Sequence, residues 1–189
     1  RDRVMFRLTV PNQEVRIALN DHFINAYTQL INEKIPIQDD LYTCLEQGDV
    51  TGMTLVIHRL FASIPWRNFT RNDLADYEGY YASVLYAFFS SLNATVIPED
   101  ITNQGQADLT IQLGSHIYVM EIKVVDTDKS ADVDTTGNAG TGTAGGPDTN
   151  PALAQIQKKR YADKYRGRPG IQVHEVGLVF SRKLRNLVS

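Results

Sequence analysis

From Gln106 to Val125 apolar and polar positions alternate with period two on both sides of Gly114-Ser115, which predicts two strands joined by a tight turn. Ala107, Leu109, Ile111 and Leu113 form one row, against Asp108, Thr110 and Gln112. After the turn, Tyr118, Met120, Ile122 and Val124 alternate with Ile117, Val119, Glu121 and Lys123. A two-residue loop pairs Leu113 with His116, and keeping that register places Asp108 opposite Glu121. Elsewhere the pattern is helical. Residues 12 to 33 follow a plausible Asn12 cap and carry Val15, Ala18, Leu19, Phe23, Ala26, Tyr27, Leu30 and Ile31 on one stripe, expected to face the core. Shorter helices are expected over about Gln38 to Gln47 and, after Gly48-Asp49, along Met53, Val56, Ile57, Leu60 and Phe61 as far as Pro65.

A longer helix is expected over Asn72 to Leu92, then a short strand at Thr95-Val96-Ile97 closed by Pro98, with Glu99-Asp100 as polarity at its end. Asn150-Pro151 is a strong helix start, and that helix runs to about Tyr165. Val173 to Phe180 reads as a strand and Arg182-Lys183-Leu184-Arg185 as a basic turn before a further strand. The order predicts an α/β fold with a central mixed β-sheet flanked by helices, preceded by an N-terminal helical segment.

The 189 residues, 42% hydrophobic and 22% charged, fit one globular domain with an appendage. The absence of an initiating Met, a signal-peptide pattern or an apolar run near ~20 residues gives the expectation of an excised cytoplasmic fragment with no membrane contact. A single cysteine, Cys44, excludes an internal disulfide, and its apolar helical setting predicts packing. Net charge is only −3, but between Lys158 and Arg185 nine Lys or Arg face two acids, a local +7 that leaves −10 elsewhere. That asymmetry favours phosphate contact near the C-terminal end, with solvated helix faces as the alternative. Residues 126 to 150, rich in Gly, Asp and Thr, read as a flexible insertion; Asp132-x-Asp134 lacks the Gly and distal Glu of a calcium-binding EF-hand loop.

Two carboxylates directly opposite on one sheet face destabilise each other unless something positive compensates. Lys123 shares that face and supplies one charge, and paired acids at this spacing also suit a hard divalent cation. The alternative is an exposed, solvated polar face. Glu78 is a second anomaly: within the expected long helix its neighbours at i−4, i+3 and i+7 are Leu74, Tyr81 and Leu85, so its carboxylate points along an apolar stripe. Lone His58 beside a helical stripe is read as a surface residue.

An Asp opening one strand and Glu-x-Lys in the next resembles the signature of the PD-(D/E)XK nuclease superfamily, here Asp108 with Glu121-Ile122-Lys123. The likeness extends to Val10-Pro11-Asn12-Gln13-Glu14-Val15-Arg16, Phe61-Ala62-Ser63-Ile64-Pro65, Tyr77-Glu78-Gly79-Tyr80-Tyr81, Ala154-Gln155-Ile156 and Tyr161-Ala162-Asp163-Lys164-Tyr165. These stretches are similar to a bacterial branch usually carried behind an AAA-ATPase-like domain, although the chain has no GxxxxGK[ST] phosphate loop of its own.

The resemblance implies a restriction-endonuclease-like core over 67–189, with 126–150 as an insertion, behind a helical preface or linker over 1–66. It also implies a magnesium- or manganese-dependent nuclease acting on DNA in preference to RNA. Asp108, Glu121 and Glu78, with the backbone carbonyl of Ile122, would hold the metal. Lys123 would orient or activate water, and Gln155 would help position the site. Lys158, Lys159, Tyr161, Arg182 and Lys183 are the expected nucleic-acid contacts. The competing reading is a catalytically silent nuclease-fold module that binds nucleic acid or a protein partner.

Overall fold

A computed structural model describes residues 9–30, 32–69, 72–126 and 150–189. The insertion expected over 126–150 therefore lies almost wholly outside the described residues. Helices α1 (Gln13–Thr28), α2 (Lys34–Gln47) and α3 (Val50–Ser63) come first, and α4 (Glu78–Ser91) follows two 3-10 turns. Three strands follow: β1 (Thr95–Thr102), β2 (Gly105–Leu113) and β3 (His116–Val125). Helix α5 (Pro151–Lys159) leads through a 3-10 turn over Tyr161–Tyr165 into β4 (Gln172–Ser181) and β5 (Asn186–Leu187).

The strands form one mixed sheet in the order β1-β2-β3-β4-β5, in which only β3 and β4 run parallel. The expected mixed sheet flanked by helices is present. The β2–β3 register is also the one a two-residue turn dictates, from Leu113 against His116 to Leu109 against Met120.

Both faces of the sheet are covered. The larger core joins α1 to α4 to one face: Tyr81 stacks on Phe180 with ring centroids 4.2 Å apart, and Phe61 meets Phe180 edge-on at 4.8 Å. The buried Tyr118 hydroxyl donates to the Leu45 carbonyl at 2.8 Å, which ties α2 to β3 without leaving a polar atom unpaired. On the opposite face Ile117, Val119 and Ala107 pack against Ile156, Tyr161, Ala162 and Tyr165. The row expected to be open to solvent is thus partly roofed, and Thr110 and Glu121 are buried.

Four boundaries differ from the pattern reading. Strand β1 does not stop at Pro98 but continues to Thr102; a proline is tolerated there because β1 is the edge strand. Helix α4 starts at Glu78, six residues later than expected, so Leu74 lies outside it and is exposed. Helix α5 ends at Lys159, where Arg160 takes a left-handed φ of 54°, and the turn redirects Tyr161 into the core. Finally, α1 turns Asn20, Ile24 and Thr28 inward and leaves Val15, Leu19, Phe23 and Tyr27 exposed. Thr28 is accommodated because its hydroxyl donates to the Ile24 carbonyl at 2.6 Å.

Candidate active site

The regular β2–β3 ladder ends just before Asp108. Strict alternation would put Ala107 and Leu109 on one face, yet they join opposite cores, so β2 changes face at Asp108. Across the β1–β2 pair, Glu99 stands at the equivalent break between the Pro98–Leu109 and Asp100–Ala107 partners. It has φ of 47°, a left-handed conformation uncommon for a residue other than glycine. Released from the ladder, the Asp108 carboxylate takes the place of a backbone acceptor: its Oδ2 receives the Ile122 N–H at 2.7 Å.

Glu121, on β3, is only 2% exposed. Its Oε1 accepts hydrogen bonds from Lys123 Nζ at 3.1 Å and from the Gln155 amide of α5. Its Oε2 is buried and accepts no well-formed hydrogen bond among the described residues, although the Asp108 backbone N–H lies close enough to the carboxylate to favour its charged form. Glu78, in the first turn of α4, lies 3.7 Å from Lys123 Nζ and accepts the Val124 N–H at 3.3 Å. An acid there also complements the positive end of the helix.

The position of Gln155 is set by an absence of side chain. Gly177 of β4 pairs with Glu121 of β3, and α5 starts directly above it. A Cβ on Gly177 would lie 2.3 Å from the Leu153 nitrogen and 2.5 Å from Asn150 Oδ1. Asn150 clamps the contact: Oδ1 accepts the Leu153 N–H at 2.9 Å, and Nδ2 donates to the Gly177 carbonyl at 2.9 Å. Gln155 is thereby held one turn into a helix whose first turn rests on the partner of Glu121.

The electrostatics follow from this crowding. Burial pushes the Glu121 carboxyl up from its ordinary value, and the nearby Asp108 charge pushes the same way against Lys123. Asp108 is raised chiefly by burial as well, with Glu78 and Glu99 adding to it and the Ile122 N–H and Lys123 opposing. For Lys123, burial favours the neutral amine, but the hydrogen bond and charge of Glu121, with Glu78 and Asp108, outweigh it and raise its pKa. Lys123 is therefore an ammonium at neutral pH.

A family model for the PD-(D/E)XK nuclease superfamily matches residues 76–189, which includes every one of these side chains. The chain belongs to that superfamily. It is also 35% identical over 183 residues to a protein of Azotobacter chroococcum mcd 1 described as "Uncharacterized protein in vnfD 5'region". That alignment covers 97% of this chain and 32% of the relative, so the chain spans about a third of the relative's length. No solved structure matches the chain.

Superfamily members generally use divalent metals. Among the described residues no three His, Cys, Asp or Glu side chains already converge as a ligand set. The buried, unpartnered Oε2 of Glu121 beside Asp108 is nevertheless the kind of oxygen a hard cation satisfies, so the residues fit one.

Asp108, Glu121, Lys123, Gln155 and Glu78 come together, with Ile122 between the two strand residues of the motif. Glu78 is not the buried, unpaired charge that the pattern suggested: at the helix start it is exposed and paired with Lys123. Lys158 and Lys159 are exposed on the turn of α5 after Gln155. Tyr161 is buried among Ile117, Val119 and Ile156, so its ring is not offered to a nucleic acid. Arg182 bridges Asp76 and Asp126, and Lys183 is exposed beyond β4. Much of the basic excess is engaged internally, through Arg160–Asp163, Lys164–Asp100 and Arg166–Glu175.

Glu99 is the acid that the pattern reading passed over. It borders the same groove as Asp108 and Glu78. The signal lay in Asn103-Gln104: a two-residue turn there pairs Thr102 with Gly105 and, counted back, brings residue 99 opposite Asp108.

Proposed function

We propose that this chain is a magnesium- or manganese-dependent phosphodiesterase that hydrolyses nucleic acid, DNA in preference to RNA. The observation that carries the proposal is Glu121, whose one oxygen is held by Lys123 and Gln155 while the other is buried without a partner next to Asp108. In this reading Asp108, Glu121, Glu78 and the Ile122 carbonyl hold the ion. Such an ion, when bound, supplies Lewis-acid activation of water and neutralises phosphate charge.

The protein's own groups do the rest. Lys123, kept protonated by the acids around it, presents an N–H to a water or a phosphate oxygen. Gln155 fixes the rotamer of Glu121 by holding Oε1, the oxygen that also takes Lys123. Exposed Lys158 and Lys159 approach the phosphate backbone from α5. A cytoplasmic location, and an AAA-ATPase-like part in a full-length protein, belong to the same proposal; the relative's greater length leaves room for one.

The test combines manganese titration calorimetry with plasmid and oligonucleotide cleavage in Mg2+ and in Mn2+. Asp108→Asn should lose metal affinity at least tenfold, yet keep or slightly gain metal-free stability because carboxylate repulsion is relieved. Lys123→Ala should keep binding and lose turnover. A wild-type protein that cuts no substrate in either metal would overturn the enzymatic reading.

A further inference from the structure

A groove of about 450 Å³ lies between α1 and α4. Glu78, Glu99 and Asp108 line it together with Phe23, Tyr27 and Tyr86. The aromatic rings are not core residues: Phe23 and Tyr27 are each 37% exposed and Tyr86 is 39% exposed. Phe23 and Tyr27 lie nearly parallel, with ring centroids 6.0 Å apart and planes 14° from each other. Each is an apolar surface on a helix that turned its sequence-apolar stripe away from the core.

The groove's chemistry selects its occupant. A wall of aromatic carbon bordered by three carboxylates repels a free anion, while its ring faces offer a stacking surface. It suits a flat, neutral, polarisable group joined to a phosphodiester whose charge would be met by the cation of the proposed function and not by the carboxylates themselves. A nucleobase attached to a phosphodiester is such a group, and stacking of a base on an aromatic side chain contributes about 1–3 kcal/mol without sequence preference. A base inside an intact duplex has no free face to offer. The volume also lies within the roughly 300–1,000 Å³ of small-molecule pockets.

We propose that the α1–α4 groove is a stacking site for an unpaired nucleobase next to the phosphodiester held at Asp108 and Glu121, so that the strand acted on is single-stranded or frayed at that position. The inference rests on the phosphodiesterase reading for its orientation, but its own observable is base stacking. Phe23 and Tyr27 lie outside residues 76–189 and Tyr86 lies within them, so the N-terminal helix adds two of the groove's three aromatic walls to the part of the chain that matches the family.

The test uses oligonucleotides carrying 2-aminopurine, whose fluorescence is quenched by stacking, in calcium, with cleavage in manganese followed separately. Wild-type protein should quench the probe in a single strand and leave it unchanged inside a closed duplex. Phe23→Ala and Tyr86→Ala should each weaken single-strand binding about 5- to 150-fold, the range that 1–3 kcal/mol represents, with duplex affinity unaltered. Phe23→Trp should keep the quench, which controls for folding along with an unchanged circular dichroism spectrum. Equal losses on single strand and duplex, or no loss on either, would overturn the proposal. So would a wild-type dimer that Phe23→Ala converts to monomer with unchanged oligonucleotide affinity, which would make the groove a self-association face. Quenching without cleavage in any metal would retain the base site and discard the phosphodiesterase reading.

Discussion

Replacing Gly177 by Ala tests how the site is assembled, because two effects of opposite sign compete there. In an ordinary strand position Gly→Ala stabilises by about 0.4–1 kcal/mol, by narrowing the unfolded ensemble. Here the added Cβ would stand 2.3 Å from the Leu153 nitrogen, 1.1 Å short of the 3.4 Å at which ordinary contact begins, and 2.8 Å from the Leu153 Cα. Those atoms are backbone, so relief requires moving the whole first turn of α5. Overpacking costs about 1–3 kcal/mol. Displacing Asn150 adds about 1 kcal/mol for the lost helix cap. The net expectation is a loss of about 1–3.5 kcal/mol, or a fall in Tm of about 2–14 °C for a chain of this size. Urea and thermal unfolding monitored by circular dichroism would measure it. The same displacement withdraws Gln155 from Glu121, so manganese affinity should fall although no acid has changed. A variant as stable as wild type, or one that loses stability with metal affinity intact, would refute the argument that α5 docking positions Glu121.

Lys123→Ala leaves the Glu121 charge buried with little compensation, which should cost about 3 kcal/mol at pH 7. Because burial and Asp108 raise the Glu121 pKa, that cost should be relieved as pH falls toward 5, and Tm measured across this range should climb in the variant. Buried Asp100 accepts from Thr110 at 2.8 Å, from Tyr165 at 2.7 Å and from Lys164; Asp100→Ala should cost about 3 kcal/mol in urea unfolding without altering metal affinity. His174 is held below its usual pKa of 6.5 by burial and then by His116, 3.0 Å away. Its contribution is present above 6.5 and lost as pH falls through the depressed value, so His174→Gln should flatten the acid side of the stability profile.

The legible part of this fold is local geometry. A two-residue turn and strict alternation suffice for the β2–β3 register as far as Leu109–Met120; the Asp108–Glu121 pair expected one step further does not form, because the ladder opens there and the Asp108 carboxylate takes the Ile122 N–H instead. Asn150-Pro151 gives the start of α5 because cap and proline chemistry are sequence-local. What escaped depends on neighbours. Pro98 reads as a strand terminator unless the strand is known to be an edge, and the face change at Asp108 has no periodic signature. The inward row of α1, Asn20-Ile24-Thr28, loses to Val15-Leu19-Phe23-Tyr27 on any hydrophobicity count. Tertiary packing decides that contest, since Ile24 is fully buried and Thr28 satisfies its own hydroxyl.

The breaks in regularity converge on one place. The β2–β3 ladder opens at Asp108, β1 adopts a left-handed residue opposite it, and α1 lays aromatic rings over the gap. Glu121 shows the same logic in its hydrogen bonds: Lys123 from its own strand and Gln155 from α5 both address Oε1, which leaves Oε2 to a group from outside. If the proposed cation binds Oε2, it should stabilise the fold by mass action, by about 2.7 kcal/mol at a hundred times its Kd. That increment should shrink in Gly177→Ala, in which the ion encounters a Glu121 no longer held from above. On the proposed function, metal binding and α5 docking would be two sides of one linkage, measurable as the rise in Tm per decade of manganese.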